Sequence, residues 1–392
     1  MKTTNSDSSN GQLILLASLV ALGPLTIDTY LPAMPGMVDA LATTSGQVQL
    51  TISSYLLGFS LFHLVCGPLA DRFGRRPVLI GGLCLYLLAT LACASANTIG
   101  ELILYRFLQG VAACVGPTLG RAIVRDLYGP RRAARALAHI AMIMALAPAI
   151  APTFGGVLLQ YLPWPAIFIA LALYAALVLG CIALTLPESL PQVQPFRVGV
   201  IARNYQALLG NPHYMITTTA SALIYAGIVA FLSASSFIFI DMMGVPSQYF
   251  GLLFLTIVVG YIAGNGISTR LAHARESEQV MWIGTRLGVV AGLSMVAATE
   301  LWFHPASVVV PMAFFSMAQG IVLPHAMGAA LRNFPHMAGT ASALFGFIQM
   351  GLSALGAVLM GATLGDSPRP MAVALLGVAL AAWWLCSRLQ PR

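Results

Sequence analysis

Two ionisable side chains, Asp28 and Arg106, lie deep inside long apolar runs of the sequence. A charged group inside a bilayer is costly, so such a residue by default marks a proton, ion or substrate pathway. Each lies six residues from the same-side end of its predicted helix, which is about 9 Å at 1.5 Å per residue. Equal depth allows a direct or water-bridged pair in which Asp28 takes up a proton. The alternative is a structural ion pair that never titrates.

The other acidic residues and the histidines offer no catalytic constellation. Acids other than Asp28 fall in tails, loops or helix ends: Asp7, Asp39, Asp71, Glu101, Asp126, Glu188, Asp241, Glu276, Glu278, Glu300 and Asp366. His63, His139 and His325 have no visible acidic partner, so we expect structural or cavity-lining roles. An enzyme working inside the membrane needs paired acids, a nucleophile with its base, or metal ligands. We therefore predict no catalytic residue, no metal site and no enzyme.

The elements that must hold these residues are membrane-spanning helices. Of the 392 residues, 58% are hydrophobic and 8% are charged, whereas soluble domains carry about 25% charged residues. A helix needs about 20 apolar residues to cross the hydrocarbon core. Such runs follow one another at 12–34, 46–66, 78–96, 100–122, 136–160, 165–187, 213–240, 247–268, 280–300, 305–330, 338–363 and 370–388. The sequence predicts an all-α polytopic membrane protein with twelve crossings; ten or eleven would require a re-entrant run.

The basic residues predict the orientation of these crossings, because cytoplasmic loops are enriched in Lys and Arg. With a cytoplasmic N-terminus, that side holds Lys2, Arg72, Arg75, Arg76, Arg125, Arg131, Arg132, Arg135, Arg197, Arg203, Arg270, Arg275, Arg332, Arg388 and Arg392. The opposite side holds only Arg369. We predict both termini on the cytoplasmic side of a bacterial inner membrane. The same bias explains the net charge of +7, so we predict no nucleic-acid partner.

The longest polar connection divides the chain into two six-helix halves. The predicted organisation is a cytoplasmic tail, an N-terminal six-helix bundle, a cytoplasmic linker, a C-terminal six-helix bundle and a second tail, at 1–11, 12–187, 188–212, 213–388 and 389–392. Gln109-Gly110 recurs as Gln319-Gly320, which indicates duplication. Two related bundles around a central cavity are typical of secondary transporters. No phosphate-binding G-x-x-x-x-G-K-[ST] loop occurs, so no nucleotide-hydrolysing engine is predicted.

The segment from Gly67 to Pro77, GPLADRFGRRP, resembles the G-x-L-a-D-r-x-G-r-[rk] signature of the major facilitator superfamily. Its glycines permit close backbone approach, and Arg75 can bridge Asp71 to a second carboxylate. The resemblance implies that the second carboxylate is Asp126 and that helix eleven lies opposite Asp71. Breaking this conformational gate would favour the inward-open state. The expected gate residues are Gly67, Asp71, Gly74, Arg75, Arg121 and Asp126. A merely topogenic basic loop is the alternative.

Helix five contains the run APAIAPTFGG at 147–156, which is similar to the G-P-x-x-G-G antiporter motif of the superfamily's drug-exporting branch. Ala151 replaces the first glycine of that motif. Pro148 and Pro152 would bend the helix, and small residues such as Gly155 and Gly156 let neighbouring helices pack closely. A generic packing stretch is the alternative.

Helix one narrows the resemblance further. The run GPLTIDTYLPAMP at 23–35 looks like the first helix of the Bcr/CflA group of bicyclomycin- and chloramphenicol-type multidrug exporters, and GTASAL at 339–344 is also similar to that group. Helix four resembles the superfamily's R-x-x-Q-G motif. Covering essentially the whole chain, the resemblance implies proton-coupled export of small amphipathic drugs by alternating access, with Asp28, Arg106 and Gln109 as coupling residues. Export of an endogenous metabolite or siderophore, or uptake by symport, stays an alternative.

Aromatic residues in the predicted helices could line the substrate cavity, although aromatic residues also face lipid and membrane interfaces. The candidates are Tyr30, Tyr55, Phe59, Tyr225, Phe231 and Phe239. We expect a proton gradient as the energy source and no cofactor. The expected partners are a small drug molecule, protons and the lipid bilayer, with a monomer that needs no other protein.

Overall fold

The computed structural model describes residues 6–190, 192 and 198–389, and the side chains of these except 6–10, 130–132, 134–135, 138 and 141–146. Parts of the predicted tails and linker, and the side chains of several predicted cytoplasmic basic residues, therefore lie outside the described residues. The helices are α1 Ser6–Asp28, α2 Met34–Ala40, α3 Ser45–Phe73, α4 Arg75–Ala94, α5 Ile99–Ala113, α6 Val115–Leu158, α7 Pro165–Thr185, α8 Val198–Leu209, α9 Pro212–Ser236, α10 Ser247–Leu271, α11 Ser277–Leu301, α12 Pro305–Arg332, α13 Ala338–Thr363 and α14 Arg369–Ser387.

These helices confirm the predicted all-α membrane architecture. Eleven segments of the described chain are long and apolar enough to cross a bilayer, and Ala147–Leu158 adds a shorter apolar helix at the fifth predicted crossing. The predicted connection between crossings four and five is a kink in α6 at Gly129, whose φ of 67° and ψ of 169° are not helical. The first crossing extends to Ala40 through a 3₁₀ turn at Leu31–Ala33, which places Asp28 nearer the middle of its span than the predicted boundary of residue 34 implied.

The helix ends fall on two faces of the molecule. One face, here called the linker face, carries the turn between α3 and α4 and the linker between α7 and α9. The opposite face, here called the far face, carries the connections between α4 and α5 and between α13 and α14. The two halves meet where α3 packs along α13 and where α6 packs along α10. Substrate-sized space between the halves is therefore bounded by helices from both.

The repeated Gln-Gly pair serves the same packing purpose in each half. A Cβ added at Gly110 would lie 1.9 Å from the carbonyl oxygen of Tyr55, and one added at Gly320 would lie 2.5 Å from that of Tyr261. Only a residue without a side chain allows α5 to approach α3, and α12 to approach α10, so closely. Each glutamine precedes a glycine that fixes a tight helix crossing.

The linker contains a helix that was not predicted from the sequence. Helix α8 lies within 188–212, and its Tyr205 hydroxyl donates a 2.7 Å hydrogen bond to the carbonyl oxygen of Leu64 in α3. Leu64 lies four residues before Pro68, which has no N–H to satisfy that carbonyl within the helix. The proline in the turn motif thus leaves an acceptor free, and the linker helix provides its donor.

Candidate functional site

A cavity of about 420 Å³ lies between the two halves. The N-terminal half lines it from α1, α3 and α6, and the C-terminal half lines it from α9, α10, α12 and α13. On the linker side the lining reaches Ser342, four residues inside the start of α13, which is about 6 Å from that helix end. The wall is mostly apolar, with a few polar side chains. This composition suits a small amphipathic ligand.

Asp28 is the only acidic residue that lines this cavity in the described part of the chain. It is 4% exposed and makes no side-chain hydrogen bond or ion pair with the residues the structure describes. Its position at the last residue of α1, just before the 3₁₀ turn, directs it at the space between the halves. A carboxyl in this position is open to a proton or a cationic ligand group.

Arg106 lies behind the cavity wall and is fully buried. Its guanidinium carbon is 4.7 Å from the ring centres of both Tyr30 and Tyr55 and 5.9 Å from that of Phe168. Such positions over aromatic rings attract a cation electrostatically. Nη1 donates a 2.7 Å hydrogen bond to Oε1 of Gln109, while Nε and Nη2 have no partner among the described residues. The aromatic rings thus partly compensate a buried charge.

The network behind Arg106 fixes the orientation of Gln109. The Nε2 of Gln109 donates to the Thr90 hydroxyl at 2.8 Å, and that hydroxyl donates to the Tyr86 carbonyl oxygen at 2.6 Å. Because its amide nitrogen is held by α4, Gln109 must turn its oxygen toward Arg106. The three helices α4, α5 and α1 are tied together by this chain of polar contacts.

Of the two arrangements allowed by equal depth, the direct ion pair between Asp28 and Arg106 is not formed in the described part of the chain. Arg106 Nη1 donates to the Thr26 carbonyl oxygen at 3.5 Å, two residues before Asp28, and no ion pair joins the two charged groups. The physical reason is the rotation of each helix about its own axis. Asp28 faces the cavity, whereas Arg106 is held among the aromatic rings behind the cavity wall.

The predicted aromatic lining divides into two groups. Tyr55, Phe59, Tyr225 and Phe231 line the cavity. Tyr30 does not, because it packs on Arg106 and shares a 2.8 Å hydrogen bond with Thr51. Phe239 lies in a second layer, with ring centres 6.2 Å from both Phe231 and Phe250.

The turn between α3 and α4 brings together three of the predicted gate residues. Arg75 Nη1 lies 2.7 Å from Asp71 Oδ1, and its Nε lies 3.3 Å from Asp126 Oδ2. Gly74 has a φ of 99°, which only glycine adopts easily. Gly67, by contrast, has open space where a Cβ would lie. Asp71, Arg75 and Asp126 are called the linker-face cluster below.

Arg121, which was expected to join that cluster, lies elsewhere. It lines the central cavity, and its Nε donates a 2.8 Å hydrogen bond to the Pro117 carbonyl oxygen. Within the described residues it forms no ion pair with Asp71 or Asp126. Two helical turns separate Arg121 from Gly129, where the crossing ends, so its side chain reaches the cavity wall rather than the surface turn.

Glu188, for which the sequence predicts no role, binds the backbone at the turn between α3 and α4. Its carboxylate accepts hydrogen bonds from the backbone N–H groups of Arg75 at 3.0 Å and Arg76 at 3.1 Å, at the start of α4. Partial burial acts to raise the pKa of this carboxyl, but backbone donors at Leu190, Arg76, Arg75 and Ser189 outweigh it and hold the pKa below its usual range. A Cβ at Gly74 would lie 2.6 Å from Glu188 Oε2, so the glycine also makes room for this cap.

Glycines seal the far face between the two halves. A Cβ at Gly156 would lie 2.1 Å from the Ser247 carbonyl oxygen, and one at Gly46 would lie 2.4 Å from the Gly361 carbonyl oxygen. Both contacts cross from the N-terminal to the C-terminal half. Within the N-terminal half, Gly155 packs equally tightly on the Thr29 carbonyl oxygen. The cavity is therefore closed on the far side by backbone-to-backbone contact.

Comparison with known proteins assigns this architecture to a family. The family model described as Major Facilitator Superfamily matches residues 16–357. The chain belongs to the major facilitator superfamily. As a multi-pass member of that superfamily, it is a transporter of small molecules.

The relatives of this facilitator-superfamily transporter confirm the resemblance to the Bcr/CflA group. Multidrug resistance protein D of Escherichia coli is 30% identical, covering 95% of this chain and 94% of the relative. The bicyclomycin resistance protein homolog of Haemophilus influenzae is 29% identical, covering 92% and 91%. The chloramphenicol resistance protein of Pseudomonas aeruginosa is 31% identical, covering 89% and 81%.

Solved structures show the same fold at low sequence identity. The nucleoside transporter NupG superposes with a TM-score of 0.79 at 14% identity, covering 97% of this chain and 99% of that one. A D-xylose–proton symporter superposes with a TM-score of 0.76 at 15% identity, covering 95% and 97%. At these identities the likeness concerns the fold alone.

Two glutamines of the C-terminal half, Gln319 and Gln349, belong to the cavity of this transporter. As the counterpart of Gln109 in the duplicated half, Gln319 is predicted from the sequence to act on affinity or substrate range, whereas no sequence motif marks Gln349. Both line the cavity. The signal that could have found them is a carboxamide in the middle of an apolar membrane helix, where a polar group needs a partner.

Proposed function

We propose that this transporter exports small amphipathic drugs in exchange for protons across a bacterial cytoplasmic membrane. The observation that carries the proposal is the position of Asp28, which is exposed to a cavity that both halves line and that is closed at the far face. A carboxyl at the centre of such a cavity can bind either a proton or a ligand. The names of the relatives, which refer to bicyclomycin, chloramphenicol and multidrug resistance, support drugs as the cargo.

The proposed orientation puts the linker face in the cytoplasm. Arg72, Arg75, Arg76, Arg125 and Arg270 all lie at helix ends on that face, as the positive-inside rule requires. With this orientation the cavity opens toward the cytoplasm and is shut toward the outside, so drugs enter from the cytoplasmic side. Because one chain supplies both halves of the cavity, a monomer is sufficient for transport.

The proposed coupling is competition at Asp28. An ionised Asp28 attracts a ligand with a cationic or hydrogen-bond-donating group, whereas a protonated Asp28 has lost that attraction. Arg106, held by Gln109 and the aromatic rings, places a fixed positive charge behind the cavity wall. The drug leaves on the outside when a proton from the outside binds Asp28. The protein then returns to the state that is open to the cytoplasm and carries this proton inward.

The linker-face cluster is proposed to keep the cytoplasmic end of the N-terminal half rigid when the two halves rock. Arg75 is shared by Asp71 and Asp126, so it ties the turn after α3 to the end of the fourth crossing. The far-face glycines hold the opposite side. Alternating access would open these far-face contacts and close the cytoplasmic side of the cavity around the fixed position of Asp28.

Transport in proteoliposomes with the Asp28→Asn variant tests this proposal. The amide keeps the shape of the carboxyl but cannot titrate, so we expect loss of uphill drug transport driven by a pH gradient and retention of drug-for-drug counterflow. Asp39→Asn is the matched control, because Asp39 lies on the same crossing but is exposed. Full gradient-driven uphill transport by Asp28→Asn would refute the assignment of the coupling residue.

A further inference from the structure

We propose that the C-terminal half carries a carboxamide subsite, formed by Gln319 and Gln349, that binds neutral carbonyl, amide and hydroxyl groups of the transported molecule. This inference rests on the proposed function and specifies the class of substrate. It predicts ligands with an uncharged hydrogen-bonding end, in addition to any group that Asp28 attracts.

The two amides are buried and lack partners among the described residues. Gln319 in α12 is 2% exposed, and neither its Oε1 nor its Nε2 has a hydrogen-bond partner. Gln349 in α13 is 8% exposed, and its Nε2 also lacks a partner. Both side chains line the central cavity. Donors and an acceptor are therefore held, unsatisfied, at the wall of the cavity.

An unsatisfied buried polar group is unfavourable in a membrane protein, where lipid offers no hydrogen bonds. A glutamine offers two N–H donors and a carbonyl acceptor. A ligand that supplies both a carbonyl and an N–H or O–H group satisfies these atoms, whereas an apolar ligand that displaces water from them does not. The cavity thus discriminates between ligands of similar size by their hydrogen-bonding groups.

The distribution of charge over the cavity wall supports separate roles for the two halves. The charged lining residues, Asp28 and Arg121, both belong to the N-terminal half. The C-terminal lining contains no charged residue in the described part of the chain, and its polar members beside the two glutamines are hydroxyl groups such as Ser316 and Ser342. A charged part of a ligand is drawn to the first half and a neutral polar part to the second.

Gln49 shows that burial without a partner is not sufficient to make a subsite. Its Oε1 and Nε2 are also unsatisfied, and it is fully buried in α3. However, it packs near Gly361 at the far-face seal and does not line the cavity. It therefore provides a matched control for the loss of a buried amide.

The test compares the binding of two probes by purified wild-type protein and its variants. Chloramphenicol is neutral and carries an amide and two hydroxyl groups; tetraphenylphosphonium is a cation without hydrogen-bonding groups. Gln319→Met and Gln349→Met keep the side-chain length and remove the amide. We expect each to weaken chloramphenicol binding about 5- to 10-fold, the loss of one or two hydrogen bonds, and to change tetraphenylphosphonium binding less than about 2-fold. Gln49→Met should leave both dissociation constants unchanged.

Retained tetraphenylphosphonium binding also shows that the variants are folded. Unchanged chloramphenicol affinity in both cavity variants would overturn the subsite while leaving the proposed export function intact. Equal weakening of both probes would overturn it too, because the amides would then act only on the shape of the cavity. Wild-type protein that binds tetraphenylphosphonium but not chloramphenicol would refute the neutral subsite. Binding of neither probe would contradict the proposed drug export and this inference with it.

Discussion

The far-face seal can be opened by a single methyl group at Gly156. A Cβ there would lie 2.1 Å from the Ser247 carbonyl oxygen and 2.7 Å from its carbonyl carbon. Both atoms belong to the backbone of α10, so no side-chain rotation can relieve the contact. Gly156→Ala must therefore push α6 away from α10 by more than 1 Å before ordinary van der Waals contact is restored.

The magnitude of this effect follows from the cost of overpacking. Inserting a methyl group into a tightly packed contact costs about 1–3 kcal/mol. In the outward-open state that the proposed alternating access requires, the two helices would separate at this point, and the alanine would be accommodated there without that cost. The equilibrium should shift toward the outward-open state by about 5- to 150-fold. Because alanine is a better helix former than glycine, the variant should still fold.

Distance measurements between the two halves provide the assay. Spin labels would be attached at Asn97→Cys and Phe303→Cys, which lie in exposed far-face connections of opposite halves, after replacing the exposed Cys84 and Cys181 with serine. Electron–electron double resonance should show that a larger fraction of the Gly156→Ala molecules has a long distance between the two spin labels on the far face. Uphill transport should fall, since the inward-open state is less populated.

The matched control is Gly180→Ala in α7, where an added Cβ would meet open space. It should leave the distance distribution and the transport rate unchanged. An unchanged distribution in Gly156→Ala, with normal expression, would refute the reasoning that this contact holds the far face closed.

Three further predictions concern charged groups. Asp71→Asn removes one of the two carboxylates on Arg75 and should increase maleimide labelling of a cysteine placed at Ser342 in the cavity; unchanged labelling and unchanged transport would show that the turn is only topogenic. Arg106→Ala should abolish proton release on drug addition, because it removes the buried positive charge behind the cavity wall in the half that carries Asp28; normal release would contradict a coupling role. Glu188→Gln should destabilise the protein by about 1 kcal/mol at pH 7, as for other helix caps. Folding lowers the pKa of Glu188, so the ionised carboxylate stabilises the folded protein fully at pH values above the pKa of the unfolded chain, about 4.3. The difference in the free energy of unfolding between wild type and Glu188→Gln should therefore shrink as the pH falls below that value. A difference in melting temperature that does not depend on pH would refute the capping role.

Several features of this protein were determined by its sequence alone. The number and length of the apolar runs predicted the membrane-spanning architecture, because the thickness of the bilayer sets the length of a crossing. The turn from Gly67 to Pro77 identified the family, and its positive φ at Gly74 explains why glycine stands there. The depth of Asp28 made it a functional candidate, because lipid tolerates few charges.

Only the tertiary structure decided which way the polar residues face. Sequence distance gives depth in a helix at 1.5 Å per residue, but direction changes by about 100° with every residue and depends on how neighbouring helices pack. For that reason Arg106 was correctly predicted to be buried but not to lie among aromatic rings, and Arg121 was assigned to the wrong cluster.

The same limit applies to contacts between distant parts of the chain. Glu188 reaches the start of α4 across more than 100 residues, and Tyr205 satisfies a carbonyl in α3 from the linker helix. Gln319 and Gln349 face one cavity because α12 and α13 both border it. Each of these contacts depends on the position and rotation of whole helices, which are set by the packing of helices far apart in the chain and which no local pattern encodes.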